Sequence, residues 1–203
     1  MKVTKIEVQK NNKNKVNIFC DGQYLFALHT ETLLKNHITQ NSEITEVQIE
    51  KLTQEDNLVK ATEEATKYVS KGLKSRKQIR DFLIKKQYNL DIINSVIEKL
   101  AEYNLIDDNA YIQAFIHDHN QYGQQKLKQM LLQKGFSKQK LDEVFSNFEV
   151  DLDNLKKLAD KYLKNKERTY ENIIKCKKYL LSKGFSYEDI NSLGWGENES
   201  WDW

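Results

Sequence analysis

The sequence predicts a mainly α-helical chain: an elongated tandem array of three three-helix repeats, preceded by a small N-terminal antiparallel β segment. Three observations predict it. From about residue 53 onward the chain repeats itself, at intervals of 48 and 49 residues. Proline is absent from all 203 residues, where about ten would be ordinary, and proline is the residue that breaks helix interiors. Asp21-Gly22 stands between two apolar runs, a strong short-range hairpin signal.

Residues 2–29 supply the β segment. Val3, Ile6 and Val8 have strand-like spacing, a polar run follows from Gln9 to Lys15, and the runs 16–20 and 23–28 flank the Asp-Gly turn. Thr30 is the expected cap of a short helix over Glu31 to Asn36. A second short helix is expected from near Thr45 through Leu52, with Ser42 or Thr45 as its cap.

The repeats hang on three anchors: Lys86-Gln87-Tyr88, Lys134-Gly135-Phe136 and Lys183-Gly184-Phe185. Ile79, Phe82, Leu83 and Ile84 match Leu127, Met130, Leu131 and Leu132, then Cys176, Tyr179, Leu180 and Leu181. First helices are expected over 55–72, 108–121 and 152–167, second helices over 75–86, 124–134 and 170–183, and third helices over 90–103, 138–148 and 187–193. The Gly-Phe pairs predict left-handed closures with the aromatic folded back on the preceding turn. Gln87 in place of glycine predicts a different closure in the first repeat. Ser137 and Ser186 are expected caps, Asp189 completes a capping box, and Asp107-Asp108 is placed to cap the next helix. The resulting division is 1–52 for the β segment and short helices, 53–106, 107–150 and 151–194 for the repeats, and 195–203 for a tail.

Composition excludes whole classes of function. Hydrophobic residues make up 39% of the chain, with ten Tyr and eight Phe, enough apolar surface to bury a core. Cys20 and Cys176 are far apart in sequence and read as reduced thiols, neither a disulfide nor a metal pair. No apolar run of membrane-spanning length and no opening signal peptide is seen, so a soluble, cytoplasmic protein is expected; an elongated monomer is the default expectation.

Net charge is only +2, but it is unevenly distributed. Lys74 to Lys86 holds six basic residues against Asp81; Gln124 to Phe136 holds three and no acid; Tyr170 to Phe185 holds four lysines against Glu171. The third helices lean acidic. Any one of these helices could simply be a solvated face. Recurrence of the same sign on the same element predicts a basic stripe for an acidic or phosphate-rich partner. Its candidate side chains are Arg76, Lys77, Arg80, Lys85, Lys86, Lys126, Lys128, Lys134, Lys175, Lys178 and Lys183.

A search for chemistry finds no catalytic constellation, no phosphate loop and no cofactor motif. Of the four histidines, His29, His37, His117 and His119, the last pair lie two apart on a helix and so cannot easily share a metal. Asp107-Asp108 reads as a helix cap and not as a metal-binding pair. The tail carries Trp195, Trp201 and Trp203 among acids. Trp195 is expected to pack the last repeat; the acidic remainder could compete with nucleic acid for the basic stripe.

The stretches 75–86, 93–100, 103–108 and 110–116, then Gly123 and 127–136, resemble the RecX regulatory family, and the likeness covers about residues 55–193. It implies three tandem three-helix repeats and a non-enzymatic protein. It also implies binding to RecA–DNA filaments along the groove, restraining ATP turnover, strand exchange and cleavage of the SOS repressor. RecA, single-stranded DNA and possibly duplex DNA are the implied partners. The family's basic positions map onto Arg76, Arg80 and Lys86. The chain departs from the family at His117 and His119, where arginines are common, and at Gln124, where an arginine often follows the glycine. Two further readings stand beside this one. A direct DNA-binding protein would bind duplex tightly by itself, and a generic helical scaffold would leave RecA untouched.

Overall fold

The computed structural model describes residues 1–195. Strands β1 (Val3–Val8), β2 (Lys15–Cys20) and β3 (Gln23–His29) form one antiparallel sheet in the order β1-β2-β3. Asp21 and Gly22 both take positive φ, 48° and 83°, as a two-residue hairpin turn requires. Alternation sends Val3, Val16, Ile18, Cys20 and Leu28 inward, where they pack with Leu33, Ile44 and Leu52.

Helix α1 (Thr30–Lys35) begins one residue earlier than expected. His29, not Thr30, is its N-cap, and it makes no side-chain cap bond. Asp56 takes over part of that role: its Oδ1 accepts from the His29 backbone N–H at 2.5 Å and from Thr32 Oγ1 at 3.2 Å. A carboxylate there also suits the positive end of the helix dipole.

Asp56 lies on α2 (Glu46–Val69), a 24-residue helix opened by a capping box between Thr45 and Gln48. The sequence reading broke this helix near residue 52. The reason is that its buried side changes partner along its length. Leu52 packs into the sheet core, while Ala61 and Ala65 pack into the first repeat. Small alanines and the polar stretch between these contacts hide the helical period.

The first repeat is completed by α3 (Arg76–Lys85) and α4 (Leu90–Glu102), around Ile79, Leu83, Ile93, Val96 and Leu100. Residues up to Asp107 form one compact unit, and a second begins at Asp108. In the second unit, α5 (Asp108–Asp118), α6 (Gln124–Gln133) and α7 (Lys138–Phe145) enclose Ile112, Leu127, Leu131, Leu141 and Phe145. Helices α8 (Leu152–Leu163), α9 (Tyr170–Ser182) and α10 (Tyr187–Asn191) enclose Leu155, Cys176, Leu180, Phe185 and Ile190. Ser137 and Ser186 cap α7 and α10, the latter through a capping box with Asp189.

All three joints close alike. Gly135 and Gly184 have φ of 94° and 89°, and Phe136 and Phe185 donate back to Leu131 O and Leu180 O. The first joint was expected to differ and does not. Gln87 adopts φ 64°, its N–H reaches Ile84 O at 2.8 Å, and the Tyr88 N–H reaches Leu83 O at 3.2 Å. Packing of the following aromatic outweighs the left-handed penalty of a residue with a Cβ, about 1 kcal/mol.

Candidate partner-binding site

The candidate cations sit on, or at the C-terminal end of, the second helix of each repeat, and each of these helices is anchored by buried apolar residues. On α3, Ile79 and Leu83 are buried, which turns Arg76, Lys77 and Lys85 outward and leaves Arg80 half-buried. Arg76 and Arg80 are one turn apart, so they share a side. A capping box between Ser75 and Gln78 fixes where α3 starts. Lys86 is engaged at home: its Nζ is 3.5 Å from Glu64 on α2 and 5.8 Å from the Phe82 ring centroid.

On α6, Lys128 is bound to Asp142 of α7 at 2.8 Å and lies 5.5 Å from the Phe145 ring. The amine pulls the Asp142 carboxyl below its usual range, chiefly through the hydrogen bond. Lys126 Nζ reaches Gln129 at 3.5 Å, and Lys134 is half-buried. Gln124 donates its side-chain amide to Phe145 O at 3.3 Å.

On α9, Lys175 pairs with Glu171 one turn earlier at 2.5 Å, lowering the glutamate pKa and raising its own, first through the hydrogen bond. Lys178 is exposed. Lys177, counted in the charge of this helix, is buried to 5% exposure. It stands 5.6 Å from the Trp195 ring, and burial lowers its pKa. Trp195 packs the third repeat and donates Nε1–H to Ile190 O at 2.6 Å. Residues 196–203, including Trp201, Trp203 and the tail acids, lie outside the described residues.

Sequence reasoning missed a pattern that repeats one and three share. Tyr68 and Phe82 stack at 4.4 Å and 3°, with Lys74 over the Tyr68 ring and Lys86 over Phe82. Tyr162 and Tyr179 stack at 4.8 Å and 24°, with Lys166 over Tyr162 and Lys183 over Tyr179. Met130 occupies the corresponding place in the middle repeat. Lys183 also lies 5.0 Å from the Tyr122 ring, so it serves the contact between repeats two and three. The signal was an aromatic at the Phe82 and Tyr179 positions but not at Met130. It says nothing by itself, because the stacking partner comes from another helix.

The candidate cations therefore divide. Lys86, Lys126, Lys128, Lys175 and Lys183 have intramolecular partners. Arg76, Lys77 and Lys134 also make contacts within the protein. Among the described residues, Arg80, Lys85 and Lys178 pair with no acid and face no ring. On α3, Arg76 and Arg80 lie beside the stripe of buried Ile79 and Leu83, whereas Lys77 and Lys85 point away from it.

A buried polar network was also missed. His29 is 2% exposed, and its Nδ1 lies 2.9 Å from Asp56 Oδ1. A carboxylate oxygen only accepts, so Nδ1 carries the proton. Nε2 is 3.8 Å from Glu63. The network staples the sheet to α2, and its members are too far apart in sequence to form a motif. His119 stacks on Phe115 at 4.0 Å and its ring meets Phe115 O, while His117 is exposed beside Asp118. Among the described residues no three His, Cys, Asp or Glu side chains form a metal-holding group, and no helix is long and apolar enough to cross a membrane.

Comparison with known proteins adds the following. Residues 1–45 match the family model described as the regulatory protein RecX N-terminal domain, and residues 149–193 match that of the RecX third three-helix domain. The regulatory protein RecX of Clostridium beijerinckii is 39% identical over 92% of this chain and 91% of its own. That of Clostridium tetani is 35% identical over 95% and 92%. A crystal structure of regulatory protein RecX superposes with a TM-score of 0.82 at 27% identity, covering 95% of this chain and 98% of that one. The crystal structure of RecX from Lactobacillus salivarius gives 0.63 at 26% identity over 68% and 94%.

Proposed function

Because the chain belongs to the RecX family of regulatory proteins, we propose that it regulates the RecA recombinase by binding RecA–single-stranded DNA filaments. It lies along the filament groove, bridges neighbouring subunits, and restrains ATPase, strand exchange and cleavage of the SOS repressor. It acts in the cytoplasm as a monomer, by occupancy, and catalyses nothing itself.

The observation that carries this reading is the recurrence of several cations on the second helix of successive repeats, each helix anchored by its buried apolar residues. Arg80, Lys85 and Lys178 have no acid partner among the described residues, so they keep their charge for an external anion. Repeated weak contacts on one chain multiply into avidity when the partner is itself a repeating polymer. The remaining candidates contribute positioning as much as charge, since Lys86, Lys128 and Lys175 already hold carboxylates.

RecA ATPase on single-stranded DNA, titrated with the protein, tests the proposal. Turnover should fall at protein-to-RecA ratios below one, since one bound molecule bridges several subunits. Unchanged turnover at stoichiometric protein refutes it. Tight binding to naked duplex with no effect on RecA would favour a DNA-binding protein acting independently.

A further inference from the structure

The N-terminal sheet has a second face that the regulatory reading does not use. One face is the core, packed under α1 and α2. On the other, the strand register lines up Lys5 of β1, Phe19 of β2 and Tyr24 of β3 in one cross-strand row. The two rings meet edge to face, with centroids 5.8 Å apart at 76°. Lys5 Nζ stands 5.4 Å from the Phe19 ring, and Tyr24 is 58% exposed. The surrounding segment is basic: Lys2, Lys5, Lys10, Lys13 and Lys15 against Glu7 alone in the first fifteen residues.

We propose that this face, built on Phe19, Tyr24 and Lys5, is a stacking platform for single-stranded nucleic acid. An aromatic pair on an open sheet offers π-faces to unpaired bases, and lysines at its border take the phosphates. Charge complementarity selects the occupant. A purely apolar partner would make no use of Lys5 or of the basic character of the segment around it, and a duplex keeps its bases stacked on one another and away from the rings. Two acids stand near: Asp21, in the turn between β2 and β3, accepts from the Lys2 backbone N–H at 3.2 Å, and Glu7 holds Lys5 at 3.1 Å and must release that amine to a phosphate. The platform is independent of the cations on α3, α6 and α9, so the two can fail separately.

The test is binding of the full chain to a fluorescein-labelled oligothymidylate of about thirty nucleotides without RecA, followed by anisotropy, with 5-iodouracil crosslinking to locate the contact. The platform predicts crosslinks to Phe19 or Tyr24, and no such crosslinks with the corresponding duplex. Stacking contributes enough per base that Tyr24→Ala should weaken binding about tenfold. Tyr24→Leu should weaken it nearly as much, because it keeps apolar area but loses the ring, and Tyr24→Phe should bind as the parent does. Glu7→Gln should tighten binding severalfold. Lys85→Glu with Lys178→Glu should leave the sheet crosslinks in place. Crosslinks confined to the helices, or Tyr24→Ala and Tyr24→Leu within twofold of the parent, overturn the proposal. So does failure of the parent to bind the oligonucleotide.

Discussion

The first and third joints make the same left-handed turn from different residues for different reasons. At Gln87 the turn is open, and a side chain is carried at a modest conformational cost. At Gly184 the backbone leaves no room for one. A Cβ there would lie 2.5 Å from both the backbone nitrogen and the Cβ of Lys126, and a Cβ on Gly123 would lie 2.3 Å from Gly184 O. The closeness has a purpose. Gly123 caps α6 without a side-chain bond, and the first N–H groups of a helix need acceptors. The third joint supplies them: Gly123 N–H donates to Lys183 O at 3.0 Å and Gln125 N–H to Gly184 O at 3.2 Å. Glycine at the first position would be a matter of comfort; at the third it permits two repeats to touch backbone to backbone.

Substitutions should separate the two cases. Gly184→Ala combines a left-handed residue with a backbone clash and should destabilise the second unit by about 3 kcal/mol in denaturant unfolding. A loss no larger than that of Gly135→Ala would mean that the contact between repeats two and three yields easily. A smaller effect concerns the aromatic after the turn. Burial and Glu64 push the Tyr88 phenol up to about 12, whereas Phe136 and Phe185 cannot ionise. A raised folded pKa means stability that is whole below the unfolded value, near 10, and is lost as pH rises from there toward 12. Tyr88→Phe should flatten that alkaline decline in the first unit, measured by chemical denaturation between pH 9 and 12. An unchanged slope would show the phenol to be free of its surroundings. The second unit has its own alkaline weakness in Cys176, which burial raises to about 11 from 9.0, so Tyr88→Phe should not alter it. The least effect is Gln87→Gly, which relieves the left-handed backbone but loosens the unfolded chain, for a net gain of about 0.5 kcal/mol. Destabilisation by that change would show that the Gln87 side chain contributes a contact of its own.

What could be read in advance follows the range of the forces involved. The hairpin at Asp21-Gly22, the serine caps at 137 and 186 and the glycine closures are local, and neighbouring residues alone determine them. The continuous α2 was not legible, because Leu52 and Ala61 serve different cores and no single apolar stripe runs between them. The fate of each lysine was even less so. Lys128 and Asp142 are fourteen residues apart and Lys86 and Glu64 twenty-two, on different helices. Lys177 looks like its neighbours in sequence yet is buried beside Trp195. A charge count along a helix therefore overstates the charge available to a partner; only packing shows which cations are already engaged.

The most direct measurement is the salt dependence of binding to RecA–single-stranded DNA filaments, comparing the parent with a Lys85→Glu, Lys178→Glu variant. Both residues are exposed and without an acid partner among the described residues, so helical content and melting should be unchanged. The account predicts that parent affinity falls steeply with added salt, and that the variant binds at least tenfold more weakly with a shallower slope. Equal affinity and equal slope for the two proteins would contradict it.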